Sequence, residues 1–252
     1  MLLALVLLLQ LSAADVAPTG TLRASFIAGN PVQGRVDAQT GATSGPSPDL
    51  ARELARRLGV QVVIMPLPDA AAVLDSVTSG TVDIGFLAVE AQRATQVDFS
   101  DPYLLMGSTY AVRADSAMGR STDVDRVGVT IGAVTGQSQE IWVREHVKLA
   151  RISALPAVPP SADLVAMLLD GRIDAFTANR TRMEDLARAF PAIRVLPDNF
   201  AVLGQAIAVS KGNRARLAGV NGFVAEALAS GVVAASIARA NLVGVEAAPS
   251  TR

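Results

Sequence analysis

Three amphipathic segments, 49–58, 70–79 and 163–170, each stop at a glycine (Gly59, Gly80 and Gly171), and each is followed two residues later by a short apolar run. Glycine takes the left-handed helix cap at low steric cost, so each helix has a defined end and the chain turns back at once. Repetition of this unit predicts strands at 22–27, 61–65, 82–88, 127–134, 151–155, 173–178 and 193–196, with helices in most of the gaps. Short apolar strands alternating with amphipathic helices specify an α/β protein with largely parallel sheets.

The unit also echoes itself. "VLDSVTSGTVDIGFLA" (73–88) and "LVAMLLDGRIDAFTA" (164–178) share an apolar helix, a glycine stop, Val or Ile before Asp, and an apolar strand. Two halves built alike are therefore expected. An extended stretch from Leu104 to Arg113 and a second at 202–213 join them, and 214–243 reads as helix returning to the first half. The expected lobes are 15–108 with 205–252, and 109–204. A single continuous sheet is the alternative.

The first residues, "MLLALVLLLQLSAAD", hold an apolar run from Leu2 to Leu11 followed by small residues at Ser12 and Ala14. This reads as a signal peptide (1–14) cut after Ala14, which implies a periplasmic protein; about ten apolar residues are too few to span a bilayer. Half of the chain is hydrophobic, 18% is charged and the formal net charge is −1, with no basic cluster for nucleic acid. There is no Cys and one His, and His146 lies on a helix with no partner at triad or metal spacing. No metal or cofactor is expected, and the chain is read as a monomer.

Ligands of open α/β sheets bind beyond the carboxyl ends of strands, where helix N-termini direct free N–H groups and partial positive charge into the crevice. Four junctions qualify: "AGNP" (28–31), "AVEAQR" (88–93), "TGQS" (135–138) and "ANR" (178–180). They nominate Asn30; Glu90 and Arg93, with Phe86 and Ala88 on the strand before them; Thr135, Gly136, Gln137 and Ser138; and Asn179 and Arg180. Each has a plainer reading. Ser138 and Asn179 can be ordinary helix caps, Glu90 a favourable charge at a helix start, and Arg93 a solvated cation. Phe99, Pro102 and Tyr103 read as packing between the first lobe and the hinge.

In order, "GPSPDLARELARRLG" (45–59), "SGTVDIGFLAVEAQRATQVDFSDPY" (79–103), "VGVTIGAVTGQSQE" (127–140) and "DGRIDAFTANR" (170–180) resemble the family 3 periplasmic solute-binding proteins, the polar amino-acid-binding components of ABC importers. The resemblance implies a type II periplasmic-binding-protein fold, in which two α/β lobes joined by two hinge strands close on a small ligand. It also implies an ABC permease as partner. By the same resemblance, the arginine at the place of Arg93 forks onto a ligand carboxylate, and the turn at Gly136, Gln137 and Ser138 completes that site with N–H groups.

Three departures from the family pattern bear on the ligand. Asn179 stands where an ammonium-accepting Asp is usual. Glu90 replaces a Thr or Ser, with Arg93 two residues nearer to Asp83 than is usual, and Asn30 replaces an aromatic platform. Two ligands fit these changes. Either Glu90 accepts the ammonium of an amino acid, or Arg180 faces the cleft beside Arg93 and the ligand carries two acidic groups. A binding protein is the main expectation. The alternatives are a dehydratase on the same fold with Glu90 as acid or base, and a sensor module.

Overall fold

The computed structural model describes residues 12–250. The apolar run of the expected signal peptide lies outside them, and the expected cut after Ala14 falls within a short helix, α1 (Ala13–Val16), whose Val16 is fully buried.

The first lobe begins with β1 (Thr21–Ile27), a two-stranded hairpin of β2 (Arg35–Val36) and β3 (Thr43–Ser44), and α2 (Pro46–Leu58). Helix α2 starts on a proline, buries Leu50, Ala51, Leu54 and Ala55 at helical spacing, and ends on Gly59 at φ 68°. Then come β4 (Gln61–Leu67), α3 (Ala70–Thr78), β5 (Ile84–Ala88), α4 (Ala91–Ala94) and β6 (Val97–Phe99). The chain crosses along β7 (Leu104–Arg113) into the second lobe, formed by β8 (Thr130–Val134), α5 (Ser138–His146), β9 (Arg151–Leu155), α6 (Ser161–Leu169), β10 (Ala175–Asn179), α7 (Arg180–Ala189) and β11 (Ile193–Val195). It returns along β12 (Ala201–Ser210) and closes the first lobe with α8 (Arg214–Ala229), α9 (Val232–Arg239) and β13 (Val245–Ala247).

The fold class is the one expected. In each lobe three parallel strands, β4-β1-β5 and β10-β8-β9, are flanked by helices and bounded by an antiparallel crossing strand. Both faces of each sheet carry an apolar core. The echo in the sequence has a geometric meaning: Asp83 N–H donates to Arg23 O while Asp83 Oδ2 accepts from Arg23 N–H, and Asp174 and Thr130 repeat this exchange in the second lobe.

The crossing strands change partners along their length. Strand β7 pairs with β12 over 104–108 and with β10 over 108–112, while β12 pairs with β7 over 201–205 and with β5 over 205–208. The switches fall at Ser108 and Gln205. Backbone hydrogen bonds consequently run without a break from lobe to lobe, and the continuous sheet and the two-lobed reading describe the same molecule. Periodicity alone did not indicate β13, which pairs with β7 at Leu104–Met106 as a third strand at the hinge.

Tyr103 and its neighbours pack as expected. The Tyr103 ring is buried edge-on against Phe86 with centroids 5.8 Å apart, and its hydroxyl meets Ser47 Oγ at 3.2 Å.

Candidate functional site

The ends of β1, β5, β8 and β10 converge on a cavity of about 50 Å³ between the lobes. Asn30, Ala88, Arg93, Gln137, Ser138 and Asn179 line it, so all four nominated junctions contribute. Gly29, Val158 and Arg182 also border a wider groove of about 410 Å³ that continues outward between the lobes.

Arg93, in the last turn of the short α4, is 7% exposed. Its Nη1 donates to Ala88 O at 3.1 Å in its own lobe, while Nη2 reaches across to Gly136 O at 2.8 Å. Ser138 Oγ lies 3.5 Å from Nη1. Arg93 forms no ion pair among the described residues. Burial pushes its pKa below the ordinary arginine value, opposed by the charge of Glu90.

Glu90 precedes α4 without capping it, and its buried Oε1 has no hydrogen-bond partner. Burial raises its pKa and the charge of Glu145 adds to the rise, while the Ser138 hydroxyl and Arg93 pull it down.

At the start of α5, the Gly136 N–H expected to face a ligand donates instead to Glu140 Oε2 at 3.3 Å. The N–H groups of Ser138, Gln139 and Glu140 have no acceptor among the described residues and are the free donors of this helix start. Asn179 combines two roles. Its Oδ1 caps α7 by accepting from Arg182 N–H at 2.9 Å, and its Nδ2 donates across the cleft to Asn30 Oδ1 at 3.3 Å.

Several nominated residues lie elsewhere. Phe86 is a core side chain, and Thr135 is exposed with its N–H on Leu155 O. The largest correction concerns Arg180. It turns away from the cavity to pair with Glu184 at 3.2 Å and to donate to Asn199 Oδ1 and the carbonyls of Leu196, Pro197 and Asp198. The arginine at the cavity is Arg182, whose Nη2 donates across the cleft to Gly29 O. Two residues along a helix are about 200° apart, so one of this pair faces the cleft and the other the hinge.

Sequence reading also missed three glutamines. Gln33 Nε2 donates to Gln205 Oε1, and Gln139 Nε2 to Ser108 Oγ, each at 3.0 Å, so both partner-switch residues of the hinge are tied to a cavity-lining glutamine from one lobe. A polar residue inside the apolar run 202–209 was the signal available for Gln205.

His146 stacks on Trp142 with centroids 4.1 Å apart, away from the cavity. No group of three His, Asp or Glu that could hold a metal occurs among the described residues.

Residues 27–240 match the model of the bacterial extracellular solute-binding proteins, family 3. The L-cystine-binding protein TcyJ of Escherichia coli strain K12 is 28% identical over 204 residues, covering 77% of this chain and 73% of that one. A cyclohexadienyl dehydratase of Pseudomonas aeruginosa is 25% identical over 159 residues, covering 62% and 58%. Among solved structures, the ancestral amino acid-binding protein AncCDT-1, a precursor of cyclohexadienyl dehydratase, superposes with a TM-score of 0.74 at 25% identity, over 89% of this chain and 97% of that one.

Proposed function

The chain belongs to the bacterial extracellular solute-binding proteins of family 3, and from that membership we propose that it captures a small carboxylate-bearing solute, an amino acid, between its lobes and delivers it to an ABC permease outside the cytoplasm. The observation that carries this reading is Arg93: a sheltered guanidinium without an ion pair among the described residues, bonded across the cleft to Gly136 O in the turn that leads into the free N–H groups of α5. A carboxylate placed between them gains a two-pronged contact from one lobe and backbone donors from the other.

The cavity of about 50 Å³ holds only a few water-sized groups, so the solute enters when the lobes part. Parting breaks the Arg93–Gly136 contact and exposes the donor edge of the guanidinium; closure on the solute replaces that contact. The lobes, 15–108 with 205–252 and 109–204, would swing about the partner switches at Ser108 and Gln205. A solute that contacts both lobes only when they are closed lowers the free energy of the closed form relative to the open one, and the solute-bound closed form is the state a permease can select.

Glu90 and the dehydratase relative favour a second reading, acid catalysis in the same cleft. The carboxyl does not line the cavity, and an acid catalyst needs hydrogen-bond reach of its substrate, so binding without chemistry is the better reading. A cyclohexadienyl compound incubated with the protein should be recovered unchanged.

A thermal-shift screen over the amino acids and small dicarboxylates tests the main reading, because a ligand of the folded state alone raises the melting temperature. At least one should do so; a flat screen rejects the reading. Arg93→Lys, which keeps charge but loses the fork, should weaken binding about tenfold to a hundredfold, with stability changed by about 1 kcal/mol or less. Unchanged affinity would place the carboxylate elsewhere.

A further inference from the structure

Resting on that reading of the cleft, we propose that the captured solute carries a carboxylate at each of two ends, one held by Arg93 from the first lobe and the other by Arg182 from the second. The argument begins with charge. Arg93 and Arg182 are the only charged side chains among the described residues lining the inner cavity.

Elsewhere this chain gives its sheltered arginines partners. Arg23 and Arg216 meet Asp83, Arg57 meets Glu53 and Glu226, and Arg180 meets Glu184. Arg194 has no carboxylate but spreads over the carbonyls of Ala114, Ser116 and Met118. Arg182 has neither arrangement: its guanidinium donates only to Gly29 O among the described residues.

The nearest source of compensation is already committed. Asp185 pairs with Arg35 at 3.0 Å and Arg188 at 2.9 Å. Burial and the neighbouring charge of Arg35 both push the Arg182 pKa below the ordinary arginine value, with Asp185 opposing them weakly. A half-buried guanidinium beside a second cation, with one carbonyl as its partner, is stabilised when an anion joins it. A solute with a second carboxylate supplies that anion on closure, when Arg182 and Arg93 approach it from opposite lobes.

The ammonium side of the ledger points the same way. No carboxylate lines the cavity; Glu90, beside the lining residues Ser138 and Arg93, keeps its unpartnered oxygen buried. An amino group would meet only uncharged acceptors there, the Ser138 hydroxyl and amide oxygens, of which Asn30 Oδ1 and Gln205 Oε1 already accept from Asn179 and Gln33. The outer groove adjoins Arg182, so the distance between the two acid groups is set by whether the solute ends at Arg182 or extends along that groove.

Calorimetric titration of the protein and of Arg182→Gln with L-glutamate, glutarate, L-cystine and L-glutamine tests the proposal. L-Glutamate and glutarate represent a short spacing and L-cystine a long one; L-glutamine has the shape of glutamate without its second charge. At least one two-carboxylate solute should bind about tenfold or more tighter than L-glutamine. Arg182→Gln should cost that solute about tenfold to a hundredfold and leave L-glutamine within about threefold.

Wild-type protein that binds L-glutamine as tightly as every diacid overturns the proposal and leaves the amino-acid reading standing. So does a diacid whose affinity survives Arg182→Gln. Failure of all four solutes and of every amino acid in the thermal screen rejects both. The melting temperature of Arg182→Gln without solute separates misfolding from lost recognition: removal of an uncompensated charge should leave it equal or higher, and the wild-type preference alone decides the matter if the variant does not fold.

Discussion

Glu90 concentrates the tension of the site in one side chain. Its Oε1 is buried without a partner and its pKa stands above the usual 4.5 because burial penalises the charged form. A carboxyl whose folded pKa is raised holds its proton more tightly in the folded than in the unfolded chain. Its contribution to stability is therefore present below the unfolded pKa and lost as pH rises through the folded one. Glu90→Gln keeps the shape and removes the titration. The melting temperature of the variant minus that of wild type should grow as pH rises from about 4 to about 7. The other carboxylates titrate in both proteins, so a difference that is flat or shrinks over that range would mean that Glu90 is not strained.

At the level of elements, the repeated Val/Ile-Asp step explains how each lobe sets the register of its parallel strands. Asp83 and Asp174 each lock the strand that follows them to its neighbour: the backbone N–H donates to the neighbour's carbonyl and the side chain accepts from the neighbour's N–H. Their electrostatics differ. Asp83 is fully buried and takes Arg23 in two further bonds at 3.1 and 2.7 Å, with Arg216 at 3.7 Å, whereas Asp174 is half-buried. Asp83→Ala leaves the buried Arg216 and the part-exposed Arg23 without their carboxylate and should cost about 3 kcal/mol in urea unfolding. Asp174→Ala loses one hydrogen bond to a backbone N–H and should cost about 1–2 kcal/mol. Equal costs would show that the ion pairs of Asp83 add nothing to its backbone role.

For the whole molecule, the lobes touch through several polar contacts that differ in weight. Arg93 to Gly136 O and Asn179 to Asn30 lie part-buried in the cleft, Arg182 to Gly29 O lies where the inner cavity opens to the outer groove, and Arg35 and Asp185 join across the outer rim with side chains 60% and 42% exposed. An exposed pair contributes about 0–1 kcal/mol and is screened by salt. Arg35→Ala should therefore change solute affinity by less than about fivefold by calorimetry, and a larger loss would mean that rim contacts, not the inner arginines, hold the lobes together.

Much of this organisation was legible along the chain. The glycine stops at 59, 80 and 171, the apolar runs after them and the echoed Asp step depend on local sterics and on pattern, and those determine the two-lobed α/β class, the crossing strands and the four junctions that meet at the cleft. Arg93 taken alone read as a solvated cation, and only its place at one of four strand-end junctions and the family resemblance singled it out. Which groups face the cavity was decided by tertiary structure. The phase of α7 sends Arg180 to the hinge and Arg182 to the cleft, Glu140 takes the Gly136 N–H, and Gln33, Gln139 and Gln205 become cavity residues only because segments far apart in sequence are brought together. Direction on a helix and contact between lobes are properties of the packed molecule. A linear pattern specifies the scaffold that positions a charge; only the folded chain determines whether that charge has already found its partner.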